Sequence, residues 1–235
     1  MPQSTRSTIQ NCRWHSYRNP VVLAQAAVQE ILRAARAAIN ARGVFRIVLA
    51  GGSTPRKVYE ALRTEDTDWR CWQIYFGDER CLPPDHDERN SYMAALAWLD
   101  HVDIPDKQIH AIPAELGAAD AAESYAHVVD SIALFDLVLL GLGEDGHTAS
   151  LFPHHDLGNV SDAPSTLAVF DAPKPPPQRV SLSARRLSAA REVMFLVTGS
   201  SKAQAVADWR AGSPIPASFI VPEGGVDIYI EEASA

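Results

Sequence analysis

The chain has 235 residues, 46% of them hydrophobic, which is enough apolar material for a sizeable α/β core. Twenty-one Lys and Arg against 29 Asp and Glu give a formal charge of −8. That balance argues against a general nucleic-acid or anionic-membrane surface, yet a local cluster of cations can still hold a small anion.

In chain order, the polar start Met1 to Thr8 lacks the apolar core of a signal peptide. Pro20 opens an Ala-rich segment, 21–41, with Val28, Ile31, Leu32, Ala35 and Ile39 at helical spacing, and Gly43 closes it. Residues 46–50 read as a buried strand, 55–62 as the helix after it, and 73–77 as a second strand. Helices are expected over 90–99 and 118–132, a third strand over 135–140 and a fourth over 192–198. A helix at 200–209 and strands at 217–221 and 226–230 complete the pattern. Alternating strands and helices predict an α/β fold with a mostly parallel sheet covered by helices on both faces.

Residues 153–178, rich in Pro, Asp, Ser and His, read as a long surface loop, not a domain linker. With no internal repeat, residues 1–235 are expected to form a single domain. Cys12, Cys71 and Cys81, odd in number and without C-x-x-C spacing, suggest free thiols in a reducing, cytoplasmic setting. The longest apolar run, 132–142, is interrupted by Asp136 and too short to span a bilayer, so no membrane association is expected.

Four loop motifs carry the candidate chemistry. Gly51, Gly52, Ser53 and Thr54 follow the first strand, with Pro55 at the start of the next helix. Exposed amides at such a terminus bind phosphate, and a capped turn is the plainer alternative. Gly77-Asp78-Glu79-Arg80 places an acid beside a base at the end of the second strand, as a site or as a surface ion pair; residues 85–89 nearby read as a solvated loop. Gly141 to Ser150 follows the most apolar strand and holds Asp145 and His147, an acid and an imidazole where open sheets bind ligands. Arg179-Val-Ser-Leu and Thr198-Gly-Ser-Ser-Lys202 add two cations. Lys202, in a first helical turn where a cation opposes the dipole, either has a compensating anion, for which Arg179 as a second donor would suit a phosphate, or is a snorkelling surface lysine. A metal site from His147, His154, His155 and Asp156 lacks regular ligand spacing and is not expected.

As an ordered set these segments, above all Gly-Leu-Gly-Glu-Asp-Gly-His-Thr-Ala-Ser-Leu-Phe-Pro, resemble the 6-phosphogluconolactonase family over essentially the whole chain. The resemblance implies a Rossmann-like α/β sheet, shared with glucosamine-6-phosphate deaminase and some sugar-phosphate-sensing regulators. It implies hydrolysis of 6-phospho-D-glucono-1,5-lactone to 6-phosphogluconate, the second step of the oxidative pentose phosphate pathway, with no metal or organic cofactor. Through it His147 matches the general base, and Arg80 and Arg179 match basic residues of the substrate site. Gly52, Ser53 and Lys202 match the phosphate positions, while Asp78 and Asp145 match acids whose division of labour stays open. The expected partner is a phosphorylated sugar lactone, on a monomer or weak homo-oligomer. A deaminase would call for a further acid soon after His147, where this chain has Thr-Ala-Ser-Leu-Phe-Pro. A sensor would bring a helix-turn-helix module, for which too few residues precede the first helix. No serine or cysteine stands in a G-x-S-x-G elbow, so direct attack by water is expected over an acyl-enzyme.

Overall fold

The computed structural model describes residues 10–234; the reading of Met1 to Thr8 lies outside the described residues. In chain order the elements are β1 (Cys12–Tyr17), α1 (Pro20–Arg42), β2 (Phe45–Leu49), α2 (Ser53–Leu62), β3 (Trp72–Phe76), β4 (Asp78–Arg80), α3 (Asn90–Ala97) and β5 (Ile109–His110). They continue with α4 (Ala118–Val129), β6 (Phe135–Leu140), β7 (Thr166–Val169), β8 (Arg179–Leu182), α5 (Ala184–Ser188), β9 (Ala190–Val197), α6 (Ala203–Arg210) and β10 (Val226–Glu231). Seven strands form one sheet in the order β1-β10-β9-β6-β2-β3-β5, with every pairing parallel. A second, antiparallel sheet has the order β4-β8-β7.

Local chemistry sets the element boundaries. The Asn19 side chain accepts from the amides of Val21 and Val22 at 3.1 and 3.0 Å and so caps α1, with Pro20 in the first turn. Gly43, at φ 72°, takes the left-handed conformation that ends the helix and donates to Ile39 O at 2.7 Å. All six residues of β6 are buried, although successive side chains point to opposite faces, so the sheet is covered on both sides there. Asp136 is accommodated in that strand because Arg42 donates to it at 2.6 Å and the Arg46 amide at 2.8 Å.

Several expectations are corrected. Residues 217–221 form no strand: Pro216–Phe219 is a 3-10 turn. The carbonyls of Ala217 and Ile220 accept from Gln10 Nε2 at 3.0 and 2.6 Å, and the Val221 amide donates to Ser188 Oγ, so side chains take the bonds a ladder would need. The helix expected at 55–62 begins at Ser53, and that expected at 200–209 opens with a 3-10 turn, Ser200–Lys202. The long loop 153–178 contains β7. Strands β1, β4, β5 and β8 and helix α5 went unrecognised in the sequence.

The topology decides where chemistry can gather. Strands β9, β6, β2 and β3 are consecutive neighbours running the same way, so the loops that follow them emerge together at one sheet edge. The loop after β3 leads directly into the second sheet, whose β4 and β8 stand beside that edge.

Candidate active site

A cleft of about 390 Å³ opens at this edge. Leu49, Leu139 and Leu140, at the ends of β2 and β6, form part of its lining. Of the residues expected from the sequence, Gly51, Gly52, Asp78, Arg80, His147, Arg179 and Lys202 line it. Ser53, Thr54 and Asp145 do not. Asn90 and Lys174, which no sequence motif singled out, do.

The turn after β6 is built to present an imidazole. The Gly143 amide donates to His147 O at 2.7 Å, the Gly146 amide to Gly143 O at 3.1 Å, and Thr148 Oγ1 to Gly141 O at 2.8 Å. The imidazole lies over Gly143, where a Cβ would sit 2.0 Å from Nδ1, so the ring occupies the space of a missing side chain. Asp145 Oδ1 contacts His147 Nδ1 at 2.5 Å and also accepts from the His147 amide at 3.2 Å. Phe152 packs against the ring with centroids 4.8 Å apart. No side chain or backbone group among the described residues bonds Nε2, the nitrogen left for the cleft.

Burial holds the His147 pKa below the ordinary histidine value, with Lys174 pressing the same way and the Asp145 carboxylate opposing. Burial alone would raise the Asp145 carboxyl. The charge of His147 and the hydrogen bonds from its ring and amide outweigh that and hold it low. The pair is therefore a carboxylate beside a neutral imidazole near pH 7, with Nδ1 donating and Nε2 a free base.

The loop after β3 is fixed by the pairing of β4 with β8, which sets Asp78 opposite Ser181 and Arg80 opposite Arg179. Asp78 is buried, and both of its oxygens are engaged: Oδ1 by Asn90 Nδ2 at 2.9 Å and Oδ2 by Ser150 Oγ at 2.6 Å. Asp145, not Asp78, is thus the acid bonded to His147. Arg80 donates from Nη1 to Glu88 O at 2.5 Å, and its buried Nε has no hydrogen-bond partner among the described residues.

Glu79 is fully buried and organises the start of α3. Its Oε1 accepts from the amides of Arg80 and Asn90 at 2.9 and 2.7 Å; Oε2 accepts from the Ser91 amide and hydroxyl at 2.8 and 2.7 Å. The Asn90 and Ser91 amides open the helix, so a carboxylate sits at its positive end. Arg89 Nε lies 3.2 Å from Oε2 with only 3% of its side chain exposed. The expectation that 85–89 is a solvated loop therefore fails at Arg89, which also donates to the carbonyls of Leu82 and Ile112.

At the start of α2 no side chain caps the first turn. Thr54 Oγ1 is paired with Thr198 Oγ1 at 2.6 Å, Ser53 is exposed, and Pro55 falls within the turn, where it offers no amide. The remaining amides face the edge where Gly51 and Gly52 line the cleft. Lys202 Nζ lies 3.8 Å from Glu144 Oε1, and with Glu144 largely exposed this is a loose pairing.

Arg179 departs furthest from the expected pattern. Its Nε donates to Pro176 O at 3.1 Å, and its Nη2 to Lys174 O and Pro175 O at 3.0 and 3.2 Å. Its guanidinium lies 5.6 Å from the centre of the Phe152 ring. The proline-rich segment is thereby strapped beside the imidazole, which brings Lys174 to the cleft. Lys174 and Asn90 gave no local signal: one is a lone cation among prolines, the other a polar residue at a helix start. Among the described residues no three His, Cys, Asp or Glu side chains converge as a metal site.

Residues 18–229 match the family described as glucosamine-6-phosphate isomerases/6-phosphogluconolactonase. The chain belongs to this family. Among its relatives, a 6-phosphogluconolactonase of Synechocystis sp. is 38% identical over 221 residues, spanning 88% of this chain and 90% of the relative. A human protein of the same name is 37% identical over 229 residues, spanning 91% and 87%. The solved structure of 6-phosphogluconolactonase from Trypanosoma brucei superposes with a TM-score of 0.88 at 28% identity, covering 96% of this chain and 98% of that one. The parallel α/β sheet is the architecture of this family, and no described helix is long and apolar enough to cross a membrane.

Proposed function

We propose that this chain hydrolyses 6-phospho-D-glucono-1,5-lactone to 6-phospho-D-gluconate, the second step of the oxidative pentose phosphate pathway, by water attack under general-base catalysis. The observation that carries the reading is the Asp145–His147 pair, with Nδ1 bound to the carboxylate and Nε2 free at the cleft. Relatives bearing the 6-phosphogluconolactonase name, similar over most of their length, support the substrate.

In this mechanism His147 Nε2 takes a proton as water oxygen attacks C1, a contribution of about 10²–10⁴-fold. The carbonyl oxygen becomes an oxyanion, towards which Arg80 supplies N–H donors. Collapse breaks the bond from C1 to the ring oxygen, which receives the proton from the imidazolium, leaving a carboxylic acid that ionises in water. Asp145 holds the imidazole in its productive tautomer and stabilises the cation that forms transiently. The phosphate sits at the amides of Gly52 and Ser53, with Lys202 turned from Glu144 towards it, and anchors the ring relative to His147. Arg179 acts in this reading by holding the 174–176 segment.

The direct test feeds freshly generated 6-phosphogluconolactone to the protein and follows acid release above the spontaneous background. Rapid release by the wild-type protein and near-background release by His147→Ala are expected. Equal rates with and without the protein would overturn the reading.

A further inference from the structure

Most of the charged side chains that line the cleft are hydrogen-bond donors. Arg80, Lys174, Arg179 and Lys202 all line it, as do the glycines beside the amides that open α2. These groups suit a phosphate and a carbonyl oxygen, but none of them receives a proton from a sugar hydroxyl. Among the acceptors, His147 Nε2 is reserved for water, and each oxygen of Asp78 already receives a hydrogen.

Asn90 supplies a neutral amide acceptor that no protein group among the described residues engages. Asn90 lines the cleft although only 3% exposed, and its amide orientation is fixed by what surrounds it. Its Nδ2 donates to both the backbone oxygen and Oδ1 of Asp78 at 2.9 Å. Exchanging the amide nitrogen and oxygen would set three acceptors together with no proton among them. Oδ1 must therefore point the other way, towards Gly51, where an added Cβ would stand 1.9 Å from it. No group among the described residues donates to this oxygen. The residue cannot drift, because its own amide is bound by Glu79 at 2.7 Å.

We infer that Asn90 is a substrate-binding residue whose Oδ1, exposed by the absence of a side chain at Gly51, accepts a hydrogen bond from one ring hydroxyl of the phosphorylated lactone. This deepens the proposed function and rests on it. A buried carbonyl that loses its only donor is left unsatisfied, so a substrate lacking that hydroxyl is rejected more strongly than lost contact area would suggest.

The test compares kcat/KM for the parent lactone with those for its 2-, 3- and 4-deoxy counterparts, all phosphorylated at position 6, on the same protein. In the wild type one of the three is expected to fall by at least about tenfold. In Asn90→Ala and in Gly51→Ala, whose methyl displaces the amide, the parent-to-deoxy ratio for that position should shrink towards one. Because the ratio is taken within one folded protein, a loss of stability does not enter it. No turnover of the parent by the wild type would overturn the function and this inference together. Turnover without any deoxy penalty, or a penalty unchanged in both variants, would overturn the inference alone.

Discussion

Asp145 reaches back to His147 from two positions earlier in the same turn and bonds Nδ1 at 2.5 Å, so the nitrogen facing the cleft is always Nε2. Charge and burial oppose each other in this pair. Burial lowers the basicity of the imidazole, the carboxylate restores part of it, and Lys174 subtracts again.

The pH profile is set by those signs. A base must be neutral to act, so activity rises with pH through the His147 pKa, and the acid limb of kcat/KM should lie below the ordinary histidine value of about 6.5. Asp145→Asn removes the group that raises that pKa, so the limb should move to still lower pH. An amide can also impose the wrong tautomer, and kcat should fall by at least about tenfold. Lys174→Met should move the limb the other way. Background-corrected profiles over about pH 5 to 8 check all three; limbs that coincide would remove His147 as the titrating group.

In the proposed function, phosphate recognition is separable from chemistry. Lys202→Ala should raise KM for the phosphorylated lactone by about tenfold to a hundredfold, with kcat little changed. It should also narrow the preference over unphosphorylated gluconolactone and weaken the dependence on salt. Unaltered discrimination between the two lactones would place the phosphate elsewhere.

Arg179 is expected to behave as a strap. Arg179→Met leaves three carbonyls of residues 174–176 without their donor, so the segment should become more susceptible to proteolysis. The melting temperature should drop by about 2–4 °C for each kcal/mol lost. Limited proteolysis that cuts variant and wild type alike would instead favour a direct role on substrate.

Glu79→Gln removes the buried one of the two carboxylates paired with Arg89, leaving Glu115, and weakens the start of α3. A loss of about 1–3 kcal/mol in urea unfolding is expected. A loss well under 1 kcal/mol would show that Glu115 and the neighbouring carbonyls sustain Arg89.

The parts of this molecule that could be read in the sequence are those whose signal is local. The run 135–140 is apolar except for Asp136, and the glycine-flanked Asp145 and His147 follow it directly, so strand, turn and acid–imidazole pair were legible together. Strand β1 was not, because Cys12–Tyr17 is a half-exposed edge strand whose partner, β10, lies over two hundred residues away. The second sheet was hidden for the same reason: Asp78–Arg80 resembles a charged loop until Arg179–Leu182 pairs with it. Residues 217–221 misled in the opposite sense, apolar enough for a strand but with backbone groups bonded to Gln10 and Ser188. Asn90 was placed correctly at a helix start, but its value lies in three distant neighbours, Gly51, Asp78 and Glu79, that no spacing along the chain announces.

The hole left by hydrogen at Gly143 is where the imidazole rests, and this has an evolutionary consequence. One methyl group there would evict the ring, and the nearest atoms it would meet all belong to His147. Under the proposed function, descendants of such a scaffold could thus trade turnover for retention of the same ligand in a single codon change.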